Sequence, residues 1–331
     1  MLQIDKRFRE SLQQIDIQIT TDSIQNRLIP GCRDWMNLND LLKGKDIDPR
    51  HVLVFRHRPH ERELNKVLPW LAADQPDIFN AYQQTQGEKL ERVMQAMTGS
   101  GFVASFIGRE PGKALFVGLY SISASKPLTY DEYWQVPAYI KMKAFDMKGW
   151  DAKEASRSSH LWFDLTLTDF YANWKGRLIV KWPPPERVWW RRAHRNENIE
   201  VDAILEDSAL DPPIKEWDQL NLTWEQLQIL PRRLQFKLSE WRGIYYIFDS
   251  SDDKGYVGSA YRESNLLSRW RNYADRGDGG NKLLRHREPQ NFRFTILQLV
   301  SPTMPPNDVI QLENSWKRRL HTRAPHGLND N

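Results

Sequence analysis

Near the end of the chain, Tyr245 and Tyr256 stand in two glycine-bounded tripeptides, Gly243-Ile244-Tyr245 and Tyr256-Val257-Gly258. Arg269 follows in a Ser-Arg-Trp context and Glu313 in Glu-Asn-Ser-Trp. These residue types suit the cleavage of a phosphodiester. That reaction needs a deprotonated nucleophile, neutralisation of the charge developing on the phosphate oxygens, and help for the leaving oxygen. Arg269 offers a planar, bidentate donor that lysine could not match. Glu313 offers a hard oxygen ligand to Mg²⁺, which bound by one carboxylate keeps several waters and borrows phosphate oxygens. Few other carboxylates lie nearby, so the expectation is a single ion, Mg²⁺ or Mn²⁺ in its place, with Glu313 as its metal ligand. A tyrosine, with an ordinary pKa of about 10, acts as a base only where neighbouring cations lower that value. Tyr273 stands four residues after Arg269, one helical turn on, and so shares its face.

The elements that must position these groups can be read from pattern. Gly243 to Phe248 and Gly255 to Gly258 read as two strands of a hairpin around the polar turn Asp249–Lys254, which turns both tyrosines toward one pocket. Arg262 to Ala274 reads as a helix carrying Arg269. Phe292 to Val300 reads as a third strand, and Val309 to about Thr322 as a helix carrying Glu313, stopped by Pro325.

Taken in order, the two tripeptides, the arginine, the helical glutamate and the late Asn329 resemble the GIY-YIG nuclease family over about 90 of 331 residues. The resemblance implies a small mixed sheet flanked by helices, within an α+β chain, and metal-dependent hydrolysis of DNA. It makes Tyr256 the first candidate for general base, with Tyr245 supporting it or exchanging roles, and Asn329 an orienting group near the metal. Many relatives carry histidine where Tyr273 stands, so a histidine relay does not transfer to this chain.

Charge is distributed unevenly. Residues 241–331 hold 14 Lys/Arg and 10 Asp/Glu, whereas the first 240 residues hold 33 of each. The whole excess therefore sits beside the tyrosine motifs, as a phosphate-binding surface requires. Lys254, Arg271, Lys282, Arg285 and Arg287 are the expected phosphate contacts. The single cysteine, Cys32, cannot form an internal disulfide and fits a reducing cytoplasm. No apolar run is long enough for a membrane helix, and the N-terminus lacks the apolar core of a secretory signal.

The remaining 240 residues say less. The pattern divides them into a helical and mixed region (1–100), a β-rich module (101–205) and a helical linker (206–240), ahead of the nuclease-like domain (241–331). A short strand is expected at 51–56 and helices at 64–71 and 78–97, while four strands at 102–107, 114–120, 161–167 and 177–182 suggest a small barrel or half-barrel. Thr223 and Gln226 form a capping-box pattern. Half of the 14 tryptophans fall between Trp134 and Trp190. Trp182, Trp189 and Trp190 stand beside Arg191 and Arg192, a mixture that suits base stacking and phosphate contact. A tryptophan-rich core with a basic rim explains them equally well. Residues 106–120 are faintly similar to PUA-like base-reading barrels. His51, His57 and His60 match no metal-site spacing.

The expectation is therefore a DNA endonuclease whose N-terminal region selects the DNA, in restriction of foreign, modified DNA. Repair or mobile-element homing is the alternative within nucleases, and a non-catalytic DNA-binding protein the alternative outside them. One active site nicks one strand, so a double-strand cut calls for a homodimer or two visits.

Overall fold

The computed structural model describes residues 36–151, 157–211, 216–276, 281–285 and 287–330. From Asn37 onward the chain forms one compact unit.

Its first half is built on a curled seven-stranded sheet. After α1 (Leu38–Lys43), strand β1 (Val52–His57) leads into helices α2 (Arg62–Asp74), α3 (Pro76–Gln84) and α4 (Glu88–Gln95), and then β2 (Gly101–Gly108). β1 and β2 pair in parallel, so the three helices form the long crossover that parallel strands require. In α2, Leu64, Val67, Leu68 and Leu71 recur at helical spacing, and all are buried against the sheet. The sequence pattern suggests one helix over 78–97. The structure has two, because Thr85 leaves the helix to bridge Trp162 and Gly87 starts the next turn.

β3 (Lys113–Leu128) is long and follows β2 as a hairpin. α5 (Tyr130–Gln135), α6 (Pro137–Lys143), β4 (His160–Leu167), β5 (Leu178–Lys181), β6 (Trp190–Arg192) and β7 (Val201–Ile204) complete this half. The strand order is β6-β1-β2-β3-β5-β7, with β4 paired to the far end of β3. Register shifts at Ser105/Phe106 and Ile122/Ala124 bend the strands and curl the sheet into a half-barrel. Alternation along β1 and β2 puts Leu53, Phe55 and Val103 toward the helices, and Val52, Val54 and Ala104 into a second core with Phe116, Phe170 and Trp182.

The second half begins with β8 (Asn221–Thr223) and α7 (Trp224–Gln228), whose capping box forms as the sequence predicts. Pro231 then opens α8 (Arg232–Glu240). β9 (Arg242–Asp249), β10 (Lys254–Ala260), α9 (Leu266–Arg276), β11 (Phe292–Val300) and α10 (Pro306–Arg319) follow. The antiparallel sheet runs β10-β9-β11-β8. α9 packs on one face with Tyr245, Ile247 and Phe294, and α10 on the other with Ile244, Val257 and Val300. The halves are joined by Trp70, which packs against both cores, and by Asp74, which accepts from the Arg232 amide at 2.8 Å.

Candidate active site

β10 is an edge strand, and the site forms along that edge. The edge is partly closed by the end of the chain. The Asn329 side chain accepts from the Val257 amide at 3.0 Å and donates to its carbonyl at 2.8 Å. The Leu328 amide donates to the Gly255 carbonyl at 2.9 Å. Asn329 is thus fully buried with both polar atoms engaged, pinning the chain end beside the site.

The glycines of the two tripeptides have a steric reason. Gly258 pairs with Tyr245 across the hairpin, and a Cβ on it would lie 2.5 Å from the Tyr245 ring. Gly255 makes the same room for the ring of Tyr246, and Gly243 lets the backbone of β11 approach. Small residues on one strand admit large rings from the next.

The rings of Tyr245, Tyr256 and Tyr273 line a cavity of about 410 Å³ together with Arg269 from α9 and Glu313 from α10. Tyr245, Tyr273 and Tyr256 form a chain of hydroxyls, 3.1 Å from Tyr245 to Tyr273 and 3.2 Å from Tyr273 to Tyr256. Burial is the first cause that pushes all three phenols well above their ordinary pKa, opposed weakly at Tyr245 and Tyr273 by Arg269. The Arg269 Nε is buried without a hydrogen-bond partner. Across the cavity, Glu313 accepts from the Ser259 hydroxyl on one oxygen and pairs with Lys317 at 2.7 Å on the other.

Residues 242–326 match the model of the GIY-YIG catalytic domain. The C-terminal part of the chain is a GIY-YIG nuclease domain. It is a phosphodiester hydrolase domain, and DNA is the substrate that this implies. Nothing among the curated proteins or the solved structures matches the chain.

Within the GIY-YIG domain, the structure gathers Tyr245, Tyr256, Arg269, Tyr273, Lys282, Glu313 and Asn329 around one cavity. Sequence reasoning missed Ser259, Asn281 and Lys317, which also line it. Lys317 was legible as the residue one turn after Glu313, yet a buried lysine is not expected from pattern alone. A family of this type uses a divalent cation, and the donor set can be tested against one. Two carboxylates line the cavity, Glu313, which faces the hydroxyl of Ser259, and Asp330, and no cluster of three or more metal-ligating side chains occurs among the described residues. This set fits one ion completed by waters and phosphate oxygens, and does not fit two. Lys317 already balances the carboxylate, so an ion on that oxygen displaces the ammonium.

Other expected contacts lie elsewhere. Arg287 clamps the hairpin turn, donating to Asp249 at 2.6 Å and to Asp252 at 2.8 Å, and these acids hold its pKa above the ordinary arginine value. Arg271 donates to Gln235, Lys254 lies 3.8 Å from Asp252, and Arg285 is exposed. In the first half, Trp182 is buried against Arg56 and Arg191. Arg191 donates to the carbonyls of Pro183 and Pro184, while Trp190 and Arg192 sit half-buried in β6. Trp189 differs. It is 39% exposed and lines a cleft of about 770 Å³ with Arg58, Arg62 and Arg187. His57 lies beneath that cleft, bonded to Gln83 and pushed down to about 4 by burial, and so is neutral. No helix among the described residues is long and apolar enough to cross a membrane.

Proposed function

We propose that the chain is a Mg²⁺-dependent DNA endonuclease whose first half selects the DNA, acting in restriction of foreign or modified DNA in the cytoplasm. The observation that carries the reading is the convergence of Tyr245, Tyr256, Tyr273, Arg269 and Glu313 on a single edge cavity. Arg269, with its unpartnered Nε, grips the scissile phosphate through two parallel donors and offsets the charge that develops there. Tyr256 holds the attacking water and, as phenolate, takes its proton. Tyr273 donates to Tyr256, with Tyr245 behind it in series, and the chain of hydroxyls steadies the phenolate before it takes the proton. Ser259 holds Glu313 in place for the cation, Lys317 balances the carboxylate until the cation binds, and Lys282 contacts the flanking phosphate. A divalent ion bound at Glu313 supplies positive charge to the phosphate oxygens. Asn329 acts through structure, keeping β10 and the chain end in register.

Selection is assigned to the first half because its cleft combines the exposed Trp189 with four arginines against two glutamates. A single cavity nicks one strand, so double-strand cutting is assigned to a homodimer or to successive visits. Supercoiled plasmid incubated with the chain and Mg²⁺ is expected to relax and then linearise, with chelation stopping both. Glu313→Ala is expected to bind the plasmid but leave it intact. Undiminished cutting by that variant, or none by the parent chain on plain and modified DNA alike, defeats the reading.

A further inference from the structure

The curled sheet carries a second cavity that phosphodiester chemistry does not use. Beside the basic cleft lies a chamber of about 240 Å³ walled by Tyr82, Tyr133, Tyr139, Met147, Trp150 and His160. Cleft and chamber share Glu61, Tyr82, Thr85 and Gln86, so they are continuous. The rings support one another, with centroids 4.3 Å apart for Tyr133 and Tyr139 and 4.4 Å for Trp150 and His160. The Tyr139 hydroxyl is fixed by Thr85 at 2.7 Å and by the Ala81 carbonyl at 3.1 Å.

One polar atom in this wall lacks a partner. His160 Nδ1 faces two acceptors, the Gln86 carbonyl at 3.3 Å and a Glu91 oxygen at 3.4 Å, and therefore carries the hydrogen. In the neutral ring Nε2 is then a hydrogen-bond acceptor, and it is buried with no donor bonded to it.

We propose that the chamber receives one nucleobase extruded from DNA, its faces held by the aromatic walls. The inference rests on reading the chain as a DNA nuclease. Size supports it, since 240 Å³ is about eight times the roughly 30 Å³ share of a liquid water, room for one heterocycle and not for a nucleotide. Chemistry supports it too: aromatic walls take the faces of a base, and Met147 and the rings reward a methyl group on it. The phosphates stay in the cleft, where Arg58, Arg62 and Arg187 are exposed. Aromatic chambers also hold methylated lysines. The arginine excess of the cleft opposes a basic peptide.

The test uses the full chain with Glu313→Gln, so that DNA is bound and not cut. Fluorescence anisotropy compares four duplexes of one sequence: unmodified, or with a single N6-methyladenine, N4-methylcytosine or 5-methylcytosine. At least one methylated duplex is expected to bind about fourfold tighter than the unmodified one, the scale of one buried methyl group. Gly87 lines the chamber at a φ of −70°, and a Cβ there meets no atom within 4 Å. Gly87→Leu therefore adds bulk at the chamber wall without strain, and is expected to bring the preference to about one. Equal binding of all four duplexes, or a preference that survives Gly87→Leu, overturns the chamber assignment. So does a trimethyl-lysine peptide that binds the parent chain and loses binding in Gly87→Leu. If the chain with Glu313 intact still cuts plasmid, those results leave the nuclease reading standing; absence of cutting removes both.

Discussion

The two cavities differ in how their polar groups are satisfied. In the edge cavity of the nuclease domain the hydroxyls of Tyr245, Tyr273 and Tyr256 bond to one another, and Glu313 is held by Ser259 and Lys317. Only Arg269 offers a buried nitrogen without a partner. The chamber of the first half is walled by aromatic rings, with His160 Nε2 as a buried orphan. The first arrangement is organised before substrate arrives, which suits chemistry at one phosphate common to all DNA. The second is an aromatic-lined shape, which suits discrimination between bases by fit. In the proposed reading, chemistry and choice are thus built in separate places.

The comparison predicts effects of different kinds. Tyr256→Phe is expected to lower the cleavage rate about 10²–10⁴-fold while leaving DNA affinity within a few-fold, measured by single-turnover cleavage beside anisotropy. Retained activity would assign the water's proton to another group. Arg287→Ala is expected to cost about 3 kcal/mol in urea unfolding, because it strands the buried Asp249, with little loss of DNA affinity per folded molecule. An affinity loss without a stability loss would return Arg287 to the phosphate-binding surface. Gly258→Ala is expected to destabilise the domain by about 1–3 kcal/mol through its clash with Tyr245; an unchanged melting temperature would show that the ring can move aside.

The pH profile offers the finest distinction. Burial raises the Tyr256 phenol, so the phenolate is a minor species at neutral pH whose share grows as pH rises. The cleavage rate at saturating metal is therefore expected to climb about tenfold per pH unit from pH 6.5 to 9. A plateau near pH 7 would mean that the base titrates below pH 7, and so is not the buried phenol.

The catalytic half was legible because its signals are local and ordered. Glycine next to tyrosine, an arginine and a tyrosine one turn apart, and a glutamate on a later helix each sit within a single element. What pattern could not supply were the partners. Lys317 is buried beside Glu313 only because α10 lies against the sheet edge, and Arg287 folds back on Asp249 only because of the hairpin turn. In the first half the strands were readable as apolar runs, but the tryptophan-arginine cluster was not. Trp182 turns into the core and Arg191 caps a proline turn, leaving Trp189 at the cleft. The chamber draws on residues from Tyr82 to His160 on separate elements, with no spacing that a sequence displays.

The central claim is that catalysis resides in the edge cavity, and Arg269→Ala tests it most directly. Single-turnover cleavage of plasmid in Mg²⁺ is measured for parent and variant at matched folded fraction. The account predicts a loss of at least about 10²-fold in rate with an unchanged melting temperature, since Arg269 Nε has no internal partner to lose. Cleavage by the variant within about threefold of the parent rate would contradict it, because an interaction worth under 1 kcal/mol is not transition-state stabilisation of this kind.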